Sequence, residues 1–266
     1  MPQSGRYVIR GGAGGRERLR VLGRVMHPTT AALLDRCGLA SGMSCLDAGC
    51  GGGDVTLELA RRVAPNGHVT GIDVDDDKLA IARAEAGQQG IANVSFCAAD
   101  VRDAAGPFDA VYARFLLTHL ADPRDVVAAF HRHLRPGGML IVEDIDFSGH
   151  FVFPESAAFR RYHDLYCTVV ARRGGDANIG PRLPGLLQWA GFRSIDVGVV
   201  QPMGLEGEAK LMSALTMERI ADAVLEDGLA SREEVDELIE ALYALAADTS
   251  TLAGVPRVFQ VSGRRT

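Results

Sequence analysis

Three carboxylates each close a short apolar run in the first hundred residues: Asp47 in SCLDAGCGGGD, Asp73 in HVTGID and Asp100 in VSFCAAD. A carboxylate at a strand end accepts hydrogen bonds from the hydroxyls and amines of a ligand. After Asp47 comes a glycine-rich turn, with Gly49, Gly51 and Gly53 at G-x-G-x-G spacing. Glycines let a backbone turn tightly and meet a ligand with no Cβ in the way, and such a turn opening onto a helix suits a nucleotide. A dinucleotide would rest its pyrophosphate on the helix N-terminus. Asp47 and Asp54 place two negative charges there, which repel a pyrophosphate and suit a cation. Asp73 stands 20 residues past Gly53, where a strand-end carboxylate accepts from ribose hydroxyls. Dinucleotide enzymes use the same device, so Asp73 indicates a ribose and no more. The third strand end discriminates. A carboxylate at Asp100 can accept from an adenine amino group, and the N–H of Val101 can donate to a ring nitrogen.

Other groups carry weaker signals. His119, in FLLTHLADP, can serve as a general base near neutral pH or simply orient the turn into the next helix. His163 and Tyr166 share a helix face with Tyr162 nearby, as pocket lining or as an ordinary amphipathic helix. In EDID, 143–146, alternation sends Glu143 and Asp144 to opposite sides of a strand, so that one of them, or Asp146, faces a pocket. The opening YVIRGGAGGRERL has its own glycine cluster but no strand before it. It reads as a flap in which Tyr7 closes over a ligand and Arg10, Arg16 or Arg20 pairs with a carboxylate. Trp189 and Phe192 fit helix-to-sheet packing. In HRH, 131–133, the two histidines do not face each other, which excludes a metal pair there.

These residues need a frame to position them. Strands are expected at 44–48, 67–73, 93–97, 107–113 and 138–144, with helices at 53–63, 76–88 and 122–134. That alternation implies an α/β fold with a parallel sheet covered on both faces. A helical pattern starts at Arg16, and Pro28 is expected to restart it as a second helix. Two helical inserts stand out, at about 154–173 and 206–248. The second contains a Ser231…Glu234 capping box, and VPRVFQVSG reads as a late strand.

Of the 266 residues, 47% are hydrophobic and 23% charged, and the formal net charge is −6. This suits a sizeable globular core and argues against a nucleic-acid partner, which wants a basic stripe. The five cysteines show no C-x-x-C spacing. They read as reduced thiols, with no zinc or other metal site, in a cytoplasmic protein. There is no apolar signal region and no run long enough to span a membrane.

The ordered set of glycine turn, Asp73, Asp100, FDAVYARFLLTHL and LRPGGML resembles the class I S-adenosylmethionine-dependent methyltransferases. The similarity is to the small-molecule group whose methyltransferase domain is like that of the quinone C-methyltransferases. It is strong over 40–145 and visible in YVIRGG and IGPRLPGLLQWAGF. The resemblance implies a Rossmann-like seven-stranded, mostly parallel sheet with helices on both faces. Its last strand, about 256–263, is antiparallel. It implies S-adenosyl-L-methionine as cofactor and S-adenosyl-L-homocysteine as product. By position, Asp47, Gly49, Cys50 and Gly51 would pack against the methionine part, with Arg114 beneath it. Asp73 would hold the ribose, and Val74 would lie beside the adenine. Lys78 would reach the adenosine edge, and Asp100 with Val101 would read the base. The catalytic candidates are His119, Asp144 and His163.

The layout expected is one methyltransferase domain. It comprises an N-terminal helical flap (1–37), a cofactor core (40–147), lid inserts (148–178 and 204–250) and the last strand. The function expected is in-line methyl transfer to a small-molecule acceptor by a monomer or homodimer. A nucleic-acid methyltransferase stands as a rival, although ARFLLTHL replaces the Asn-Pro-Pro-aromatic motif. So does a protein that binds the cofactor without transferring the methyl, as a binding module or a cyclase.

Overall fold

The computed structural model describes residues 13–266. The first half alternates as the apolar pattern requires: α1 (Ala13–Arg36), β1 (Ser44–Ala48), α2 (Asp54–Val63), β2 (His68–Asp73), α3 (Asp76–Gln88), β3 (Val94–Ala98), β4 (Phe108–Arg114), α4 (Pro123–His133) and β5 (Leu134–Asp146). Leu46, Val69, Val111, Ile141 and Val142 are fully enclosed, as expected for strands covered on both faces. The second half runs β6 (Val152–Phe153), α5 (Ala157–Arg172), α6 (Leu183–Trp189), β7 (Arg193–Val200), β8 (Met203–Gly204), α7 (Met212–Glu226), α8 (Arg232–Ala247), β9 (Leu252–Gly254) and β10 (Arg257–Arg264).

The main sheet has seven strands in the order β3-β2-β1-β4-β5-β10-β7. β1 to β5 pair in parallel, and β10 runs antiparallel between β5 and β7. This is the Rossmann-like sheet with an antiparallel final strand that the sequence resemblance implies. The register places Arg257 beside Asp146 and Val258 beside Val200. β10 therefore starts at the edge where β5 and β7 end, so both helical inserts rise from the carboxyl edge of the sheet. There α1, α5, α7 and α8 share one apolar core through Met26, Tyr162, Val169, Met217 and Leu242.

Several expectations change. The chain does not restart at Pro28, because α1 runs through it as one helix. Thr29 Oγ1 donates to the Met26 carbonyl at 2.9 Å, and Met26, Leu33 and Leu34 are buried on either side. Packing thus outweighs the backbone bond that proline cannot make. The second insert is two helices, with Ser231 Oγ accepting from the N–H of Glu234 at 3.1 Å. The Glu234 carboxylate completes no capping box and instead takes Arg161 Nε at 2.7 Å. Trp189 is 54% exposed and lies outside the core, whereas Phe192 is fully buried. The small sheet β6-β9-β8 was not foreseen, because two- and three-residue strands carry no periodicity.

The return from α8 to β9 hangs on a buried cation. Lys210 is 3% exposed. Its Nζ donates to the carbonyls of Leu205, Asp248 and Thr251 and to Thr251 Oγ1, at 2.6–3.0 Å. Lys210→Met keeps the stem but leaves those acceptors without a donor, and hydrogen bonds to a charged group contribute about 1.5–3 kcal/mol. Urea unfolding should show a loss of at least about 2 kcal/mol. A midpoint equal to that of the parent protein would contradict this reading.

Candidate functional site

The carboxyl edge of the sheet and helices α1, α5 and α7 of the cap border a cleft that opens to solvent at its mouth. Its floor begins at the glycine turn. Gly49, Gly51 and Gly53 all have φ between 52° and 84°, the left-handed region that glycine enters without strain. The N–H groups of Gly49 and Cys50 both donate to the Ile72 carbonyl, at 2.8 and 2.9 Å. A Cβ on Gly53 would stand 2.8 Å from that of Ala82, so only glycine lets α2 and α3 approach this closely. The turn thus presents bare backbone to the cleft.

Asp73, at the end of β2, is 4% exposed. It accepts from the N–H of Gly51 and of Asp75, each at 3.0 Å, and it borders the cleft. Asp47 is buried at the end of β1 and accepts from Thr56 Oγ1 at 2.6 Å. Burial pushes its pKa up to about 7; Asp54 and Asp73 add to the rise, while Thr56 and Arg114 oppose it. Arg114 Nη2 meets Asp54 Oδ2 at 2.6 Å, closing a bridge from β4 to the start of α2. Gly49, Cys50, Gly51, Lys78 and His119 also line the cleft. Lys78 pairs with Asp75 at 3.5 Å. His119 is half-buried and its pKa is pushed down to about 4, first by burial and then by Arg18 and Lys78. It is a neutral imidazole at physiological pH.

Other expected site residues stand elsewhere. Asp100 folds back on its own turn, accepting from the Arg102 backbone at 2.9 Å and from Nε and Nη2 at 2.8 and 2.6 Å. That pairing holds its carboxyl below the usual range. Val101 packs into the apolar core, and Val74 is 58% exposed; none of these three borders the cleft. Asp144 is buried beneath the cleft wall. It accepts from the N–H of Thr118 at 3.1 Å and of Ile145 at 2.9 Å, and burial raises its pKa to about 7. The Glu143 carboxylate accepts from Thr30, Tyr112 and Gln260, and Asp146 pairs with Arg257 at 2.7 Å. His163 Nε2 lies 3.0 Å from the Phe147 carbonyl, outside the lining. Tyr7 and Arg10 lie outside the described residues. So does the side chain of Arg16, and Arg20 is exposed.

Sequence reasoning offered Tyr162 and Tyr166 as pocket lining or as an ordinary helix face, and missed the rest of the opposite wall. Phe147 stacks on Tyr166 with ring centres 4.0 Å apart and 15° between planes. His150 sets its edge toward Phe147 and Phe159, at 4.9 and 4.7 Å. Arg18 reaches in from α1, while Met212 and Thr216 come from α7. Each element looks like an ordinary amphipathic helix in sequence, and only their crossing makes a pocket. The wall is amphipathic in a way that suits a flat organic molecule.

The chain belongs to the methyltransferase domain family, whose model matches residues 39–176, just over half of its length. It is 38% identical over 116 residues to the ubiquinone biosynthesis O-methyltransferase of Pseudomonas paraeruginosa, covering 42% of this chain and 48% of that protein. It is 33% identical over 162 residues to the O-methyltransferase cnsE of Penicillium expansum, covering 59% and 55%. The chain spans about half the length of the curated relatives it matches. Among solved structures it resembles Haemonchus contortus phosphoethanolamine N-methyltransferase 2, solved with phosphomonomethylethanolamine and S-adenosylhomocysteine. The TM-score is 0.58 at 21% identity, over 90% of this chain and 53% of the other. It also resembles the [4+2]-cyclase SpnF, with a TM-score of 0.54 at 22% identity, over 90% and 80%. These structural likenesses establish the shared fold.

His150 gives the site a pH signature. Burial pushes its pKa down to about 3 from 6.5, and His163 adds to the fall. Between these values the unfolded chain binds a proton that the native state refuses, so stability falls as pH falls from 6.5. Asp47 and Asp144, raised to about 7, act in the opposite sense. Their contribution is present at low pH and lost as pH rises through 7. Replacing His150 by Gln should flatten the acid limb of the stability profile, by at most about 1.4 kcal/mol per pH unit. Urea melts from pH 4.5 to 7.5 measure this, and an unchanged acid limb would mean that His150 protonates in the native state.

Proposed function

We propose that the protein is a methyltransferase that uses S-adenosyl-L-methionine and methylates a small-molecule acceptor, releasing S-adenosyl-L-homocysteine. The observation that carries this reading is one cleft with two unlike halves. One half is a bare glycine turn beside two acidic side chains, Asp47 and Asp73, at strand ends. The other is a wall of stacked aromatic rings. Carboxyl oxygens at strand ends accept from a ligand that brings donors, and the cofactor's ribose hydroxyls and ammonium are such donors. A positive ligand is also what a carboxyl held at about pKa 7 beside Asp54 and Asp73 favours. The residues fit.

When bound, the cofactor supplies a methyl group already activated by its sulfonium. The protein's task is then to bind, orient and keep water out. Asp73 receives the ribose while its bonds to Gly51 and Asp75 hold the turn in shape. Asp47 takes the amino end, with Lys78 at the adenosine edge. Phe147, Tyr162 and Tyr166 fix the plane of the acceptor, and such orientation can lower a barrier by up to ~7–11 kcal/mol. Of the catalytic candidates, His119 alone borders the cleft. Being neutral, it is ready to take a proton from an acceptor hydroxyl, although a pKa of about 4 makes it a weak base. Adenine selection by Asp100 would require its pairing with Arg102 to open. The names of the sequence relatives support an oxygen acceptor. The net charge of −6 and the apolar wall support a small molecule over a nucleic acid. We place the protein in the cytoplasm, since all five cysteines are free and no described helix is long and apolar enough to cross a membrane. We take it to act as a monomer or homodimer, and α1, α5, α7 and α8 to serve as the lid.

Titration calorimetry with S-adenosyl-L-homocysteine tests the cofactor half. Asp73→Ala removes a charge-assisted acceptor worth about 1.5–3 kcal/mol, so affinity should fall at least about tenfold. Full affinity in a folded variant would sink the ribose assignment. The raised Asp47 carboxyl gives a second test. A cationic ligand favours the carboxylate, so binding near pH 7 should release a proton, and affinity should rise between pH 6 and 8. Calorimetry in buffers of different ionisation enthalpy counts that proton. No release in the parent protein would separate Asp47 from the ligand. Turnover of methyl-labelled cofactor with a small-molecule extract decides between transfer and mere binding.

A further inference from the structure

The aromatic wall of the cleft contains a cation that no acidic side chain among the described residues neutralises. Arg18 lines the cleft from α1. Its Nε donates to Thr216 Oγ1 at 3.3 Å, with Thr216 itself buried on α7. No acidic side chain among the described residues lies within ion-pair reach of Arg18. Glu17, its neighbour in sequence, turns to Arg24 at 3.6 Å, and Arg24 in turn takes Glu208 at 2.6 Å. Residues 1–12, which precede α1, contain no aspartate or glutamate that could reach back. Arg18 is half-buried, and this burial draws its pKa down, with the positive charge of Arg219 on α7 adding to the fall. A charge partly removed from water without a counterion is costly, and a ligand that brings a counterion relieves that cost. The Nη N–H groups form a planar fork that matches a carboxylate in two parallel bonds.

We infer that the acceptor is a flat, aromatic or conjugated acid whose carboxylate is held by Arg18 while its ring lies against Tyr166 and Phe147. This rests on the methyl-transfer reading and names the substrate class for it. The neighbours of Arg18 are Thr216 of α7 and the α5 tyrosines Tyr162 and Tyr166. These belong to the cap, and His119, whose pKa Arg18 also lowers, stands next to them on the sheet edge after β4. The cofactor's own carboxylate is the other source of the same chemistry, and the test must separate the two.

The probes are 3,4-dihydroxybenzoate and the neutral 3,4-dihydroxybenzamide, titrated into protein saturated with S-adenosyl-L-homocysteine. The acid should bind at least about tenfold tighter than the amide, as expected for a charge-assisted pair. Arg18→Gln should bring the two within about twofold. Arg18→Lys, which keeps the charge and loses the fork, should retain part of the preference. A thermal melt confirms that each variant is folded. In a separate arm, S-adenosyl-L-homocysteine and 5′-methylthioadenosine, which lacks the amino-acid portion, should bind Arg18→Gln as they bind the parent. Acid no better than amide, including no binding of either, overturns the inference, as does a preference that survives Arg18→Gln. A loss confined to S-adenosyl-L-homocysteine assigns Arg18 to the cofactor carboxylate and equally overturns it. Failure of the parent protein to bind S-adenosyl-L-homocysteine at all would instead strike the methyl-transfer reading.

Discussion

One buried carboxylate fixes the geometry on which the cleft depends. Glu143, in the middle of the sheet on β5, is fully enclosed. It accepts from Thr30 Oγ1 of α1 at 2.7 Å, from the Tyr112 hydroxyl of β4 and from Gln260 Nε2 of β10 at 2.8 Å. A carboxylate in such surroundings is tolerable only when its lone pairs are filled. The three donors come from three elements far apart in sequence, so satisfying them locks those elements together. Gln260 also donates to the Thr29 carbonyl at 3.1 Å, on the turn of α1 next to Pro28. The helix that proline weakens is thus held to the sheet beside its weakest point. Leu19, Leu22, Met26 and Arg18, earlier on the same helix, are carried into the cleft as a result.

The topology then divides the cleft by charge. Parallel strands bring their carboxyl ends to one edge, and Asp47 and Asp73 stand there because β1 and β2 end together, with Asp47 beside Gly71 in the register. Burial at that edge raises the Asp47 pKa to about 7, and the neighbouring charges of Asp54 and Asp73 add to the rise. Arg114 relieves part of this repulsion but is itself held by Asp54. The cap has the reverse character: stacked rings, a neutral His150 and the cation Arg18. A ligand set that places positive and hydroxyl groups on the sheet side and an anionic, planar group on the cap side satisfies both halves.

Much of the sheet half was legible in the sequence, and the physical reason is local. The five parallel strands fall within about two residues of the runs read from their apolar composition, apart from the longer start of β5 at Leu134, and Asp73 was placed by its distance from the glycine turn. Asp100 shows the limit of such counting. Spacing put a carboxylate at a strand end, but Arg102, two residues on, captures it, and nothing in the pattern distinguishes an open acceptor from a paired one. His163 and Asp144 failed to reach the cleft for a similar reason. Each is satisfied by a backbone group that comes close only when the chain folds. Arg18 was hidden between Arg16 and Arg20 in a run of similar charges, and its distinction is its burial against Thr216, nearly 200 residues away in sequence.

The family match ends at residue 176, within the loop after α5. The glycine turn, Asp73 and His119 fall inside it, whereas Arg18 on α1 and Met212 and Thr216 on α7 fall outside. The aromatic residues Phe147, His150, Tyr162 and Tyr166 fall inside it too, so what lies outside is the part of the wall built by α1 and α7. The sheet edge consists of backbone turns and strand-end carboxylates whose positions follow from the topology, so they change little without loss of the fold. The cap residues sit on helices that contribute to the apolar core with one face and to the cleft with another. A substitution on the cleft face of α1 or α7 alters what the wall recognises and leaves Met217, Ile220 and Val224 packed as before. Selectivity for the acceptor can therefore diverge while the binding of the shared cofactor is kept. In this chain the divergence would lie in the residues around Arg18 rather than in the motifs that identify the family.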